Sequence, residues 1–210
     1  HQHYSLGAEY VYGAIMGLLP EAMHPSKSVR WAAILLFALG APGVAWWVMG
    51  RFRSVSGGVV AGLFYAVAVV SVLRSFGLEL SRENLGLPLF LLFLAADTWA
   101  GWWRKLPVAR WRSLTLSVVS GVLAGSALVA WDLVQFPLGV WLVIRLARSM
   151  FSRKPVSGTG DPVLLMVWGV LGVLSVTNPY LRAHGFWHSP LFLLMTGGLL
   201  ATVVTGWRSR

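Results

Sequence analysis

Long apolar runs separated by short polar clusters dominate the chain. Seven of these runs, 31–50, 55–73, 85–103, 113–131, 133–147, 162–177 and 190–207, carry almost no charge, and each predicts a membrane-spanning helix. A helix that satisfies its own backbone hydrogen bonds needs about 20 mainly apolar residues to cross the hydrocarbon layer. The fifth and sixth runs are shorter and at about 1.5 Å per residue would cover only about 23 Å, so their ends extend into the flanking loops or the bilayer thins there. A further apolar stretch, 11–19, lies between Glu9 and the Pro20-Glu21 pair and fits an interfacial or re-entrant helix. The pattern predicts an all-α integral membrane protein, with about seven transmembrane helices plus the N-terminal interfacial one. The whole chain, 1–210, reads as one transmembrane domain; its start at His1, with no Met and no leader pattern, is expected of a fragment or processed form of a larger chain.

Composition agrees: 57% of the residues are hydrophobic, 11% are charged, and the mean hydropathy is +0.70, well outside the range of soluble domains. The formal charge of +10 does not point to nucleic acid, because the basic residues sit in short clusters at the ends of apolar runs and form no continuous basic face. The absence of cysteine excludes disulfides and thiolate metal sites.

The basic clusters set the sidedness. One set of alternate loops holds Arg51, Arg53, Arg104, Lys105, Arg110, Arg112, Arg145, Arg148, Arg153, Lys154, Arg208 and Arg210, whereas the other holds only Lys27, Arg30, Arg74, Arg82 and Arg182. Short basic loops stay cytoplasmic, so the first set is expected inside. Nine of the twelve tryptophans fall near predicted span ends, as an aromatic belt requires. With this orientation the loop "RSFGLELSREN", 74–84, lies outside. So do all five histidines and the acidic residues Glu9, Glu21, Glu79, Glu83 and Asp132, leaving Asp97 within a span and Asp161 in an inner loop. The positive-inside bias by itself leaves outer loops relatively acidic, so the excess of outer acids has a topological explanation as well as a functional one.

Glu79 and Glu83 are four residues apart; in a helical turn their carboxylates share a face and suit a hard divalent cation such as Mg or Mn. Arg82 pairs with one of them or clamps a phosphate, and Arg74 sits at the membrane edge where a lipid phosphate would lie. The alternative is an exposed ion-pair cluster of small energetic value. His1 and His3 are candidate metal or sugar contacts, while His184 and His188 in "RAHGFWHSP" read as residents of an interfacial turn. Asp132 is expected to cap a tight outer hairpin. Asp97 is a functional suspect as an ionisable group in a span, or is solvated near the Arg104-Lys105 pair. Gly57, Gly58 and Gly62, and Gly121 with Gly125, predict close helix packing, and "KPVSGTGDP", 154–162, an inner connector. No P-loop, serine-hydrolase or zincin motif occurs.

The segment "HPSKSVRWAAILLFALGAPGVAWWVMGRFRSVSGGVVAGLFYAVAVVSVLRSFGLELSRENLGLPLFLLFLA" resembles the second to fourth membrane helices of the GT-C superfamily, polytopic glycosyltransferases that use polyprenyl-phosphate-linked sugars. In that family, as here, a helix ends in a basic turn, the next leads to an outer acidic loop, and the following helix opens with an apolar run like "ENLGLPLFLL". "VLAGSALVAWDLVQF", "NPYLRAHGFWHSP" and "EYVYGAIMGLL" are similar to segments of oligosaccharyltransferase catalytic subunits, and the likeness covers most of 9–200. The resemblance implies a transferase active on the exoplasmic side of the plasma membrane, or of the endoplasmic reticulum membrane in a eukaryote. It implies a membrane lipid environment, a polyprenyl-phosphate-linked sugar as donor, a divalent metal at Glu79 or Glu83, and phosphate contacts from Arg74 or Arg82, with His1 and His3 as secondary substrate contacts. The catalytic aspartate of the family's first loop would lie upstream of His1, and its large outer loop and C-terminal soluble domain have no counterpart in this sequence. A transporter lined by Asp97 and Asp132, or a non-catalytic membrane subunit, are the alternatives.

Overall fold

A computed structural model describes residues 7–18, 25–68, 82–106, 110–151 and 161–208. The described residues form ten α-helices and two short 3-10 turns, with no strand among them: α1 Gly7–Leu18, α2 Pro25–Ala38, α3 Gly40–Phe52, α4 Val55–Val67, α5 Glu83–Trp103, α6 Arg110–Ala130, α7 Gln135–Phe151, α8 Pro162–Thr177, α9 Pro179–Ala183 and α10 Pro190–Arg208. The 3-10 turns, Asp132–Val134 and Phe186–His188, precede α7 and α10. The protein is thus all-helical, and three of its helical stretches, Ala33–Phe52, Asn84–Trp103 and Trp111–Ala130, are long and apolar enough to cross a membrane. Val55–Val67, Pro162–Thr177 and Pro190–Ala201 are apolar but shorter.

The helix ends follow from local chemistry. Ser54 accepts the Gly57 N–H at 3.0 Å and starts α4. Asp161 caps α8 with Pro162 behind it, and Asn178 caps α9 with Pro179 in the same position. The expected helix 31–50 departs from its sequence reading, since it is interrupted at Leu39 between α2 and α3. Pro42 has no N–H to offer the Ala38 carbonyl, and its ring crowds that carbonyl, so the ladder cannot run straight through. The expected helix 55–73 ends early, at Val67, where Ala68 leaves the helical region with φ −56° and ψ 132°; residues 69–73 lie outside the described residues, and α7 runs four residues beyond its expected end.

Close approaches fix the helix directions. α3 and α4 form an antiparallel hairpin in which a Cβ on Gly58 would collide with Met49 and lie 2.7 Å from the Ala45 carbonyl oxygen, and one on Gly62 would lie 3.1 Å from that of Ala41. α3 runs parallel to α5, with Gly43 against Leu91 and Leu92 and Gly50 against Thr98 and Trp99. α5 and α6 are antiparallel: Gly86 meets Trp131, and the Ser113 hydroxyl donates to the Ala100 carbonyl at 3.0 Å. α6 and α8 are parallel and nearly touch, the Met166 carbonyl group lying 2.9 Å from a Cβ built on Gly121. Of the glycines expected to mark close packing, Gly58, Gly62, Gly121 and Gly125 do so, whereas a Cβ on Gly57 would meet its own cap residue Ser54 and touch α3 only at 3.8 Å from Val48.

With these directions, the C-terminal ends of α3 and α5 and the N-terminal ends of α4 and α6 share one end of the bundle, where Arg51, Arg53, Arg104, Lys105 and Arg112 gather. The opposite end carries the start of α5, the Asp132–Val134 turn and the segment 178–189. Between them lies a core of Phe93, Leu128, Leu138, Leu142, Val167, Leu171 and Met195, all nearly solvent-free. Val59, Leu63, Phe64, Val122, Leu165, Val173 and Leu193 point outward, as suits a surface solvated by lipid.

Candidate functional site

Two polar constellations occur, one at each end. At the basic end, Arg145 of α7 is the hub. Its Nη1 donates to the Asp97 carboxylate of α5 at 2.5 Å. Its Nη2 donates to Asp161 at the start of α8 at 2.7 Å, and Nε makes a second contact to that carboxylate. Trp141, one turn earlier on α7, donates its indole N–H to the other Asp97 oxygen at 2.9 Å, and the Arg145 guanidinium lies 5.0 Å from the Trp141 ring centroid. Arg104 approaches Asp161 at 3.5 Å. Burial by itself would push the Asp161 carboxyl up; the hydrogen bonds and charge of Arg145, with Arg104 beyond, outweigh it and hold the group below its ordinary value. Asp97 is therefore not solvated by the Arg104-Lys105 pair, and its partner comes from another helix. Paired in this way, the charges join α5, α7 and the start of α8.

The three tryptophans that fall away from predicted span ends have a related explanation. Trp99 donates to the Trp46 carbonyl at 3.1 Å, Trp141 to Asp97, and Trp168 to the Thr196 hydroxyl at 3.0 Å. An indole N–H inside the bundle needs a protein acceptor, whereas one at an interface has water and headgroups.

At the opposite end, Arg82 precedes α5, and its carbonyl accepts the N–H groups of Leu85 and Gly86 at 3.2 and 2.9 Å. Glu83 is the first residue of α5, so its backbone stands at the positive end of the helix dipole. Asp132 begins its 3-10 turn by accepting the Leu133 N–H at 3.1 Å, as a hairpin cap should, and also accepts the Tyr180 hydroxyl at 3.1 Å. Burial, then the Asp132 charge and its hydrogen bond, push the Tyr180 phenol above its ordinary value, against an opposing pull from Arg82. Arg82, Asp132 and Tyr180 are thus electrostatically coupled. His184 pairs its Nδ1 with the Tyr180 carbonyl at 2.9 Å, and the chain turns at Gly185 with a φ of 61° before the Phe186–His188 turn. Asn84, the second residue of α5, is wholly buried, and neither atom of its carboxamide has a hydrogen-bond partner among the described residues.

Of the residues singled out in the sequence, Arg82 and Glu83 open α5, while Arg74, Glu79, His1 and His3 lie outside the described residues. Among the described residues, no three His, Asp or Glu side chains converge as a metal site would need. Asn84 and Tyr180 were missed; the only trace of Asn84 in the sequence is an uncharged amide at the head of an apolar run. No protein family, curated protein sequence or solved structure matches the chain.

Proposed function

We propose that this chain is a membrane domain of about seven spans that acts at the end opposite its basic residues, as part of a GT-C-like transferase using a polyprenyl-phosphate-linked sugar. The supporting observation is Asn84. A buried carboxamide without a partner costs about 1–3 kcal/mol, and natural folds keep such groups mainly where function requires them. This one follows Arg82 and Glu83 in the chain, at the end of the bundle that carries the Asp132–Tyr180 pair. A phosphate-bearing donor would find a guanidinium and a helix N-terminus there, and would reach the buried Asn84 amide only if the entry to α5 opened. Transfer would proceed by attack of an acceptor hydroxyl or amide on the anomeric carbon. The bond from that carbon to the phosphate oxygen breaks, the lipid phosphate leaves with the electron pair, and the proton lost by the acceptor passes to that phosphate. A divalent cation held by Glu79 and Glu83 belongs to the same proposal and would supply charge to the departing phosphate.

The transporter alternative expects Asp97 in an aqueous cavity, but Asp97 is bound to Arg145 and Trp141. The test is sugar transfer from a polyprenyl-phosphate-linked donor in detergent or vesicles, supported by Mn. Replacing Glu79 and Glu83 together by Gln should abolish transfer while helicity and thermal stability are kept; full retention of activity would remove both residues from the mechanism.

A further inference from the structure

The three helical stretches long enough to cross a membrane enclose a groove of about 390 Å³ near the basic end, lined by Trp46 of α3, Ala95, Trp99 and Trp103 of α5, and Val119 and Leu123 of α6. That size is within the range of about 300–1,000 Å³ typical of ligand clefts. The groove wall is almost wholly apolar, and the Trp99 indole is already committed to the Trp46 carbonyl. A flexible apolar chain fits such a surface and a polar solute does not.

The rim at the basic end has the opposite character. The Arg112 guanidinium lies 4.7 Å from the centroid of Trp103, a groove wall. Lys105 follows Trp103 by two residues, and Arg51 and Arg53 close α3 just beyond the point where Gly50 meets Thr98 and Trp99. All four basic side chains are exposed. The two carboxylates at this end, Asp97 and Asp161, are both held by Arg145. A dry groove ending in exposed basic side chains, none of them paired with a carboxylate among the described residues, is complementary to a molecule with an apolar tail and an anionic head.

We infer that the groove between α3, α5 and α6 is a specific site for one anionic phospholipid of the leaflet facing the basic end, with an acyl chain against Trp99 and Val119 and the phosphate on Arg112 and Lys105. Basic pockets between transmembrane helices bind anionic headgroups in this way, each Lys or Arg adding about fivefold in affinity. The inference rests on the membrane character of the chain and is independent of the transferase proposal, which concerns the other end.

Native mass spectrometry of the purified protein, titrated with phosphatidylglycerol or with phosphatidylcholine of the same chains, tests it. The intact protein should retain one phosphatidylglycerol at least about tenfold more tightly than phosphatidylcholine. Arg112→Gln with Lys105→Gln should remove most of that preference. Val119→Trp, placed at a position 40% exposed so that folding tolerates it, should weaken both lipids alike, and glycerol phosphate without chains should not compete. Equal binding of the two lipids by the intact protein, an unchanged preference in the double variant, unchanged binding in Val119→Trp, or competition by the chain-free headgroup would overturn the inference. So would a dimer that excludes lipid, since the groove would then serve a second copy. Any of these results leaves the sugar-transfer experiment untouched.

Discussion

Arg145 and Asp97 are 48 residues apart in sequence, and their side chains meet at 2.5 Å inside the bundle. Asp161 takes the other arm of the same guanidinium. One cation thus bridges two anions contributed by α5 and by the cap of α8, Arg104 supplying the second positive charge at Asp161, and the Arg145, Asp97 and Asp161 side chains are largely buried, at 19%, 14% and 19% exposure.

Removing the cation alone should be costly. Arg145→Met leaves two buried carboxylates facing each other and should lower stability by about 3–5 kcal/mol. Combining it with Asp97→Asn and Asp161→Asn, which keep the Trp141 acceptor and the helix cap, should recover most of the loss. Equilibrium unfolding in detergent measures both, and equal instability of the single and triple variants would contradict the network.

The same network sets an acid limit. Asp161 is held below its ordinary value of 3.8, so the folded protein binds fewer protons at this site than the unfolded chain. The resulting stabilisation is complete above about pH 3.8 and is lost as pH falls through the lower folded value. The melting temperature should be flat in this contribution near neutrality and drop under acid conditions, and Asp161→Asn should flatten the acid limb.

Helix contacts predict opposite outcomes for two glycines. Gly121→Ala forces a Cβ against the backbone of Met166 at 2.9 Å, which cannot give way without separating α6 from α8, and should cost about 1–3 kcal/mol. Gly139→Ala, in open space within α7, should be neutral or stabilise by up to about 1 kcal/mol. Thermal unfolding of the two variants side by side decides this.

Asn84→Leu separates a structural role from a functional one. Replacing an unpartnered buried amide by an apolar side chain of similar volume should raise stability by about 1–3 kcal/mol. If the amide serves the substrate, donor binding should fall at the same time. A more stable variant with unchanged donor binding would leave Asn84 without a role at that site.

The bundle was largely legible because lipid-facing helices announce themselves as uninterrupted apolar runs; 162–177 matches α8 at both ends. The break at Leu39 was concealed by the apolar character of the run, although Pro42 carried the signal. The close glycine contacts were legible because small residues recur at helical spacing. The Arg145 network was not, since it depends on which helices neighbour one another. Its only sequence trace is the ionisable Asp97 inside an apolar run, since Arg145 reads as one more basic residue at a span end. At the other end, Arg82 and Glu83 stood out by charge, whereas Asn84 and Tyr180 matter only through burial and through the approach of α9 to the Asp132 turn.

The central claim is that the end bearing Arg82, Glu83, Asp132 and Tyr180 faces the exoplasmic side, where a lipid-linked donor would meet it. The chain has no cysteine, so single cysteines report without background. Leu133→Cys, exposed in the Asp132–Val134 turn, and Lys105→Cys, exposed at the basic end, should be treated with a membrane-impermeant maleimide on intact cells and again after permeabilisation. Cys at 133 should label in intact cells and Cys at 105 only after permeabilisation; the reverse pattern would place the Asp132–Val134 turn in the cytoplasm.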